Sequence, residues 1–366
     1  MTIPPPTRFA VRQLLVSVAS AILALTAGLF AQPPRGFLAK PASAAIRVLT
    51  WNVYRSSIFP PDGETVDLTA TDRPARFARV VRALQPDILC LQEVTPGVQR
   101  TAALLNRILP LGEGRSWQVH GAEDTVVAAR FDLGARAEGH VEGAGRRRGH
   151  AIALVKAPTT DLYIVCAHFQ SSAAGADAAL RQEQGELIAK TIRDAQSGDG
   201  DVPLRRRTPF ILLGDFNAIA GGTAFLDDLV SGRAGGAAPS GRIEGLDWDR
   251  SSLADARPRH NASGSERYTW RNDLERFPPG ILDRILYSDS VLSSVNQFVL
   301  DTTEMSYTDL VRAGLRAVDV MRDPQAGIHD HYPLVIDLIL RPQGRRPAPA
   351  RLGPPSDAAP TISRGR

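Results

Sequence analysis

Short apolar runs that end on a polar residue recur along this chain. Ile46 to Trp51 (IRVLTW) leads to Asn52, and Asp87 to Gln92 (DILCLQ) leads to Glu93. Leu162 to Ala167 delivers His168, and Phe210 to Leu213 runs through Gly214 into Asp215 and Asn217. Apolar runs of this length, bounded by turn residues, are strand signals. Asp215 and Asn217 are two apart, so an extended backbone places both on one side; an Asx turn is the alternative for that stretch alone. Further strands are expected near Trp117 to His120, at Thr125 to Ala129, Ala151 to Lys156, Tyr268 to Trp270 and Leu282 to Tyr287. Val291 to Leu300 is expected to pair with that last strand, and Tyr332 to Leu340 closes the series.

Helical periodicity alternates with these strands. Phe77, Val80, Val81 and Leu84 follow a helix start at Asp72-Arg73-Pro74. Val98, Ala102, Leu105 and Leu109 form one face between Pro96 and Leu109, and a longer helix is expected from Ala178 to Asp194. Ser231 to Ser265, rich in Gly, Ser, Arg and Pro, reads as a long surface loop or lid. No internal repeat or low-complexity linker divides the middle, so one domain is expected over residues 45–340.

The two ends differ from that middle. Arg8 and Arg12 precede an apolar run from Leu14 to Ala31, and Ala42-Ser43-Ala44 forms an A-x-A site. Residues 1–44 therefore read as a secretory signal peptide. The run is also near the lower limit for a membrane span, so an N-terminal membrane anchor is the alternative. Either places the domain outside the cytoplasm, periplasmic or secreted. Residues 341–366, with many Pro, Arg and Ala, are expected to be a disordered tail. The formal charge of +4 comes from these ends. Of 43 basic and 39 acidic residues, four basic ones precede Ala45, and six arginines and one aspartate follow Leu340, leaving the middle at −5. No basic stripe is implied, which leans away from long duplex DNA. Cys90 and Cys166 both lie in apolar runs and read as small buried hydrophobes, with a single disulfide as the alternative.

Asn52, Glu93, His168, Asp215 and Asn217 thus sit at strand ends, with Asp283 inside a strand and Asp330-His331 just before one. Buried charges need partners or a metal. This oxygen-rich set suits Mg²⁺, Mn²⁺ or Ca²⁺, and its histidines also tolerate Zn²⁺.

The motifs TWN (Thr50 to Asn52), LQEV (Leu91 to Val94), AHFQS (Ala167 to Ser171), LLGDFNA (Leu212 to Ala218), LDRILYS (Leu282 to Ser288) and DHYPLVIDL (Asp330 to Leu338) follow one another in order. In that order they resemble the endonuclease/exonuclease/phosphatase superfamily with its deoxyribonuclease-I-like fold, here as an exported member of bacterial type. The resemblance implies an α/β fold: a four-layer α/β sandwich of two packed mixed β-sheets flanked by helices. It implies a metal-dependent phosphoesterase, most readily a phosphodiesterase acting by in-line attack of water; a non-catalytic binding module that kept the fold is the alternative. Carried over, Glu93 is the principal metal ligand, with Asn52 and Asp330 nearby. Asp215 orients or deprotonates the attacking water, and Asn217 holds a phosphate oxygen. His331 sits on the phosphate, oriented by Asp283. His168 matches a second histidine that stabilises the transition state or protonates the leaving oxygen, and Asn52 lies beside the phosphate. The implied partner is a phosphate ester: nucleic acid, phospholipid head group or small phosphoester. No protein partner is evident.

Two features depart from the family pattern. No tyrosine-containing motif of the abasic-site endonucleases lies between LQE and GDFN. No acidic partner for His168 stands near Arg148 to Ala151, so Glu123 or Glu142 is the expected candidate. His329, where the family has Ser, reads as a loop histidine. Arg146–Arg148 and Arg205–Arg207 read as solvated loop charges, and Trp51 and Trp270 as packing residues.

Overall fold

A computed structural model describes residues 36–43, 45–61, 64–95, 97–143, 146–172, 174–219, 222–234, 244–275 and 277–342, of which 140–143, 146 and 147 as backbone only. Of the expected leader or anchor, residues 1–35 and residue 44 lie outside the described residues, as does the expected tail from residue 343 on.

Two six-stranded sheets form the centre. The first contains β1 (Ile46–Asn52), β2 (Ile88–Gln92), β3 (Gln118–Ala122), β4 (Thr125–Ala129), β11 (Leu292–Val299) and β12 (Leu334–Leu340), in the order β11-β12-β1-β2-β4-β3. The second contains β5 (Leu133–Gly143), β6 (Arg146–Lys156), β7 (Asp161–His168), β8 (Phe210–Asp215), β9 (Ala254–Asp255) and β10 (Asp283–Tyr287), in the order β5-β6-β7-β8-β10-β9. Each sheet is mixed: β1 and β2 run parallel, as do β7 and β8, and the other pairs are antiparallel.

Alternation along the strands explains the layering. In β7 and β8, Ile164, Cys166, Ile211 and Leu213 belong to the core shared with the first sheet. Their neighbours Tyr163, Val165, Phe210 and Leu212 face a second core closed by Ile188 and Ile192 of a long helix. Successive side chains in a strand point to opposite faces, so both faces of this sheet are covered. The covering helices are α1 (Arg73–Leu84) and α2 (Val98–Ile108) on the first sheet, and α3 (Gly175–Ser197) and α4 (Ala224–Ser231) on the second. A short α5 (Tyr307–Ala313) follows β11. The four-layer expectation therefore matches the fold.

Helix α1 starts as its sequence suggests. Asp72 caps it by accepting from Ala75 N at 2.9 Å, with Pro74 in the first turn. Its arginines are a surprise, because Arg73, Arg76 and Arg79 are buried. They donate to the carbonyls of Met321 and Arg322 and, from Arg79, to the Asp319 carboxylate at 2.7 Å, tying α1 to the loop before β12. Arg47 of β1 makes a similar buried, bidentate pair with Asp337 of β12, at 2.7 Å for each bond.

Three expectations need correction. Val291 to Leu300 does not pair with the Leu282–Tyr287 strand: β11 pairs with β12 in the first sheet, while β10 pairs with β8 and β9 in the second. Their adjacency in sequence hides a crossing between sheets. Tyr268 to Trp270 forms only isolated bridges, from Trp270 to Gly280 and His331. The Arg146–Arg148 segment is no loop but the first part of β6, paired along its length with β5, which periodicity missed because Leu133 to Gly143 is polar. Within the expected lid, Leu246, Leu253 and His260 are buried and Ala254–Asp255 pairs with β10, so its described parts are fixed to the sheet.

Candidate active site

Register alone gathers the polar strand ends. His168 stands beside Asp215 across the parallel β7–β8 pair, and Asp215 faces Asp283 across β8–β10. Asn52 lies beside Gln92 across β1–β2, one residue before Glu93, and β12 enters next to Thr50 straight after His331. Both sheets thus open their loops at one edge, which gathers residues scattered over 280 positions (Asn52 to His331).

Gly214 is required for this approach. Its φ is +143°, and a Cβ there would lie 1.9 Å from the carbonyl oxygen of Ala167. Glu93 and Asn217 also have positive φ, at 62° and 45°. Left-handed backbone is uncommon outside glycine and clusters at functional positions.

Asp215 is the hub. It is 1% exposed. Its Oδ1 accepts from Asn217 N at 2.8 Å, and its Oδ2 accepts from Asn217 Nδ2 at 3.2 Å and Asn52 Nδ2 at 3.1 Å. The same oxygen lies 3.6 Å from Nε2 of both His168 and His331. Asn52 Nδ2 also donates to Glu93 Oε1 at 3.2 Å, while Glu93 Oε2 accepts from Arg55 N at 2.8 Å. Asn217 Nδ2 also donates to the Phe169 carbonyl at 3.0 Å. An amide nitrogen has two hydrogens, so those of Asn52 and Asn217 are fully engaged.

Each histidine is held from behind. His331 Nδ1 lies 2.8 Å from Asp283 Oδ2, and Asp283 N and Leu282 N both donate to Thr269 Oγ1. Burial opposes the charge on His331, but Asp283 and then Asp215 outweigh it and hold the imidazolium well above the ordinary histidine range. His168 Nδ1 lies 2.9 Å from Asp124 Oδ2, which also accepts from Arg148 Nη1 at 2.6 Å; Arg148 Nη1 approaches Nδ1 itself to 2.9 Å. Burial pushes the Asp124 carboxyl up, but His168 and Arg148 outweigh it and hold it below the usual range.

The partner of His168 is therefore Asp124, not Glu123. Glu123 is exposed in the β3–β4 turn, and the Glu142 side chain lies outside the described residues. Asp124 is fixed there because its carbonyl accepts from Val94 N, next to Glu93. Arg148 is likewise no solvated charge. Trp270 does more than pack: its Nε1 donates to Asp330 Oδ1 at 3.0 Å, as Trp51 Nε1 does to the His331 carbonyl. His329 is buried with Nδ1 2.6 Å from the Tyr332 hydroxyl. Arg205–Arg207 are exposed as expected, and both cysteines are buried and free.

Of the expected metal ligands, Asn52 and Glu93 are joined by a hydrogen bond. Asp330 shares none with either; its second oxygen lies 3.9 Å from Arg322 Nη1. Among the described residues an acid–histidine group at this edge is Asp215, Asp283 and His331, whose ligand atoms lie within 4.8 Å of one another. Asp283 Oδ1 is buried without a hydrogen-bond partner. Carboxylate and carboxamide oxygens suit a hard divalent cation, so the Glu93, Asn52 and Asp330 side chains are of the kind that fit one.

The sequence profile described as the Endonuclease/Exonuclease/phosphatase family matches residues 49–307. The chain belongs to that family. Its motifs at Asn52, Glu93, His168, Asp215 and Asp283 fall inside the match, and Asp330-His331 follows it. No curated protein matches the chain by sequence. Solved structures with the same fold include the human Nocturnin catalytic domain with bound sulfate, at 18% identity over 82% of this chain and 96% of that one, with a TM-score of 0.50. Truncated TDP2 from Caenorhabditis elegans is similar at 18% identity over 81% of this chain and 98% of that one, also with a TM-score of 0.50. At these identities the likeness is one of fold.

Proposed function

We propose that this endonuclease/exonuclease/phosphatase family member is a divalent-metal-dependent hydrolase of phosphate esters, with phosphodiesters preferred. The observation that carries the reading is Asp215: a buried carboxylate fixed by two amides, with the Nε2 atoms of two imidazoles 3.6 Å from one of its oxygens. A base held between two potential acids suits a reaction that takes a proton from water and returns one to a leaving group.

Glu93, with Asn52 and Asp330, would hold the metal, which when bound neutralises phosphate charge and positions the ester. Asp215 takes the proton of the attacking water as its oxygen bonds to phosphorus. The ester P–O bond opposite breaks, and the leaving oxygen is protonated from His168. His331, kept charged by Asp283, donates to a non-bridging oxygen as negative charge grows there. Both amide hydrogens of Asn217 are engaged, so its part is to fix Asp215 and not to grip phosphate, and Asn52 acts similarly. The bound sulfate of Nocturnin, a tetrahedral anion on the same fold, accords with a phosphate site here. An exported location, periplasmic or secreted, remains part of the proposal.

Hydrolysis of bis-p-nitrophenyl phosphate and p-nitrophenyl phosphate, with Mg²⁺, Mn²⁺ or EDTA, tests this reading. Diester cleavage abolished by EDTA is expected. Monoester preference would make the enzyme a phosphatase, and absence of turnover with every metal would refute the reading.

A further inference from the structure

A second polar cluster shares no residue with this site. His260 is wholly buried and bridges Val299 at the end of β11. Its Nε2 lies 2.8 Å from the Tyr268 carbonyl oxygen. A carbonyl only accepts, so Nε2 carries the hydrogen, and in the neutral ring Nδ1 is left with a bare lone pair. Nδ1 makes no hydrogen bond. It faces Asp301 Oδ2 at 3.3 Å and Glu304 Oε2 at 3.7 Å. The other oxygen of Asp301 is occupied, accepting from Thr303 N at 2.9 Å and Thr303 Oγ1 at 2.6 Å. A buried lone pair opposed by two carboxylates demands a positive charge between them.

We propose that His260 Nδ1, Asp301 and Glu304 form a second metal site, for a divalent cation of the Zn²⁺ or Mn²⁺ class. The three ligand atoms lie within 4.8 Å of one another. One imidazole with two carboxylates favours such ions over Mg²⁺, which prefers oxygen alone. Glu304 is 46% exposed, so the site has an entrance and room for water to complete the coordination. The cluster ties the turn after β11 to the segment that carries Thr269 and Trp270. Those residues brace Asp283 and Asp330 respectively, so the site is structural and supports the reaction centre from outside it. The competitor for Nδ1 is a proton: burial opposes it, but Asp301, the Tyr268 carbonyl and Glu304 outweigh burial and raise the imidazolium above its ordinary range.

The test is Zn²⁺ stoichiometry after gel filtration, and the Zn²⁺-induced rise in Tm, for the purified full chain and its variants. Glu304→Gln leaves a half-exposed, uncharged side chain and should fold; His260→Gln is the second variant, and Glu93→Gln the control at the candidate active site. Expected is the loss of one bound equivalent and of the Tm rise in Glu304→Gln and His260→Gln, with Glu93→Gln keeping that equivalent. Equal stoichiometry and equal Tm rise in wild type and Glu304→Gln would overturn the proposal, as would Zn²⁺ leaving the wild-type Tm unchanged; a protonated His260 would then be the charge between the carboxylates.

Discussion

At the scale of single residues, the carboxylates behind the two histidines govern the chemistry. Asp124→Asn removes the charge that orients His168 while leaving a group of the same size. A fall in kcat of about 10²-fold is expected, with KM little changed, since proton transfer by a positioned side chain is worth roughly that much. Asp283 bears on pH dependence. It raises the His331 pKa, so His331 is protonated below a value above the ordinary histidine range and loses its proton as pH rises through it. If the charged ring is the active form, kcat holds through neutral pH and falls on an alkaline limb; in Asp283→Asn that limb should move to lower pH. A limb that stays in place would separate His331 from the reaction. The strand-end residues were legible in sequence because each closes an apolar run. Asp124 was not: it lies in a turn, one position from an equally acidic Glu123, and only the Val94–Asp124 backbone bond settles which one faces inward. His260 gave no sequence signal either, since it sits in a stretch that reads as polar loop.

At the scale of elements, two buried ion pairs fix the strands and helices that carry the site. Asp337→Ala would leave Arg47 buried at 2% exposure without its partner, and breaking such a pair costs about 3–5 kcal/mol. Chemical denaturation should show that loss, whereas a change below about 1 kcal/mol would mean water reaches Arg47. Gly214→Ala should harm both stability and activity, because the close approach of β7 and β8 leaves no room for a methyl group. Periodicity found the apolar strands and α1, but not the polar β5 or the first part of β6 before Ala151, and it paired β11 with β10 because adjacency in sequence carries no information about which sheet a strand joins. The burial of Arg73, Arg76 and Arg79 on α1 carried no sequence signal, because it depends on a loop of carbonyls that closes over them.

At the scale of the whole molecule, described residues before Ala45 pack against the core. Leu38 is buried, its carbonyl accepts from Arg47 Nη1 at 2.8 Å, and the Phe37 ring packs edge-on against Phe298 at 4.9 Å. A chain starting at Ala45 should be less stable than one starting at Gly36 by about 2–4 kcal/mol, the scale of one buried apolar side chain and a buried hydrogen bond. Equal Tm values would show that these contacts are idle. The family order of motifs made the four layers and the shared edge legible from sequence, while the cross-sheet braces came only from three dimensions. The most direct measurement of the central claim is kcat for bis-p-nitrophenyl phosphate in Asp215→Asn, with metal saturation confirmed. A loss of about 10²–10⁴-fold with metal still bound is expected of the general base. Activity within a few-fold of wild type would contradict the claim that Asp215 carries the chemistry.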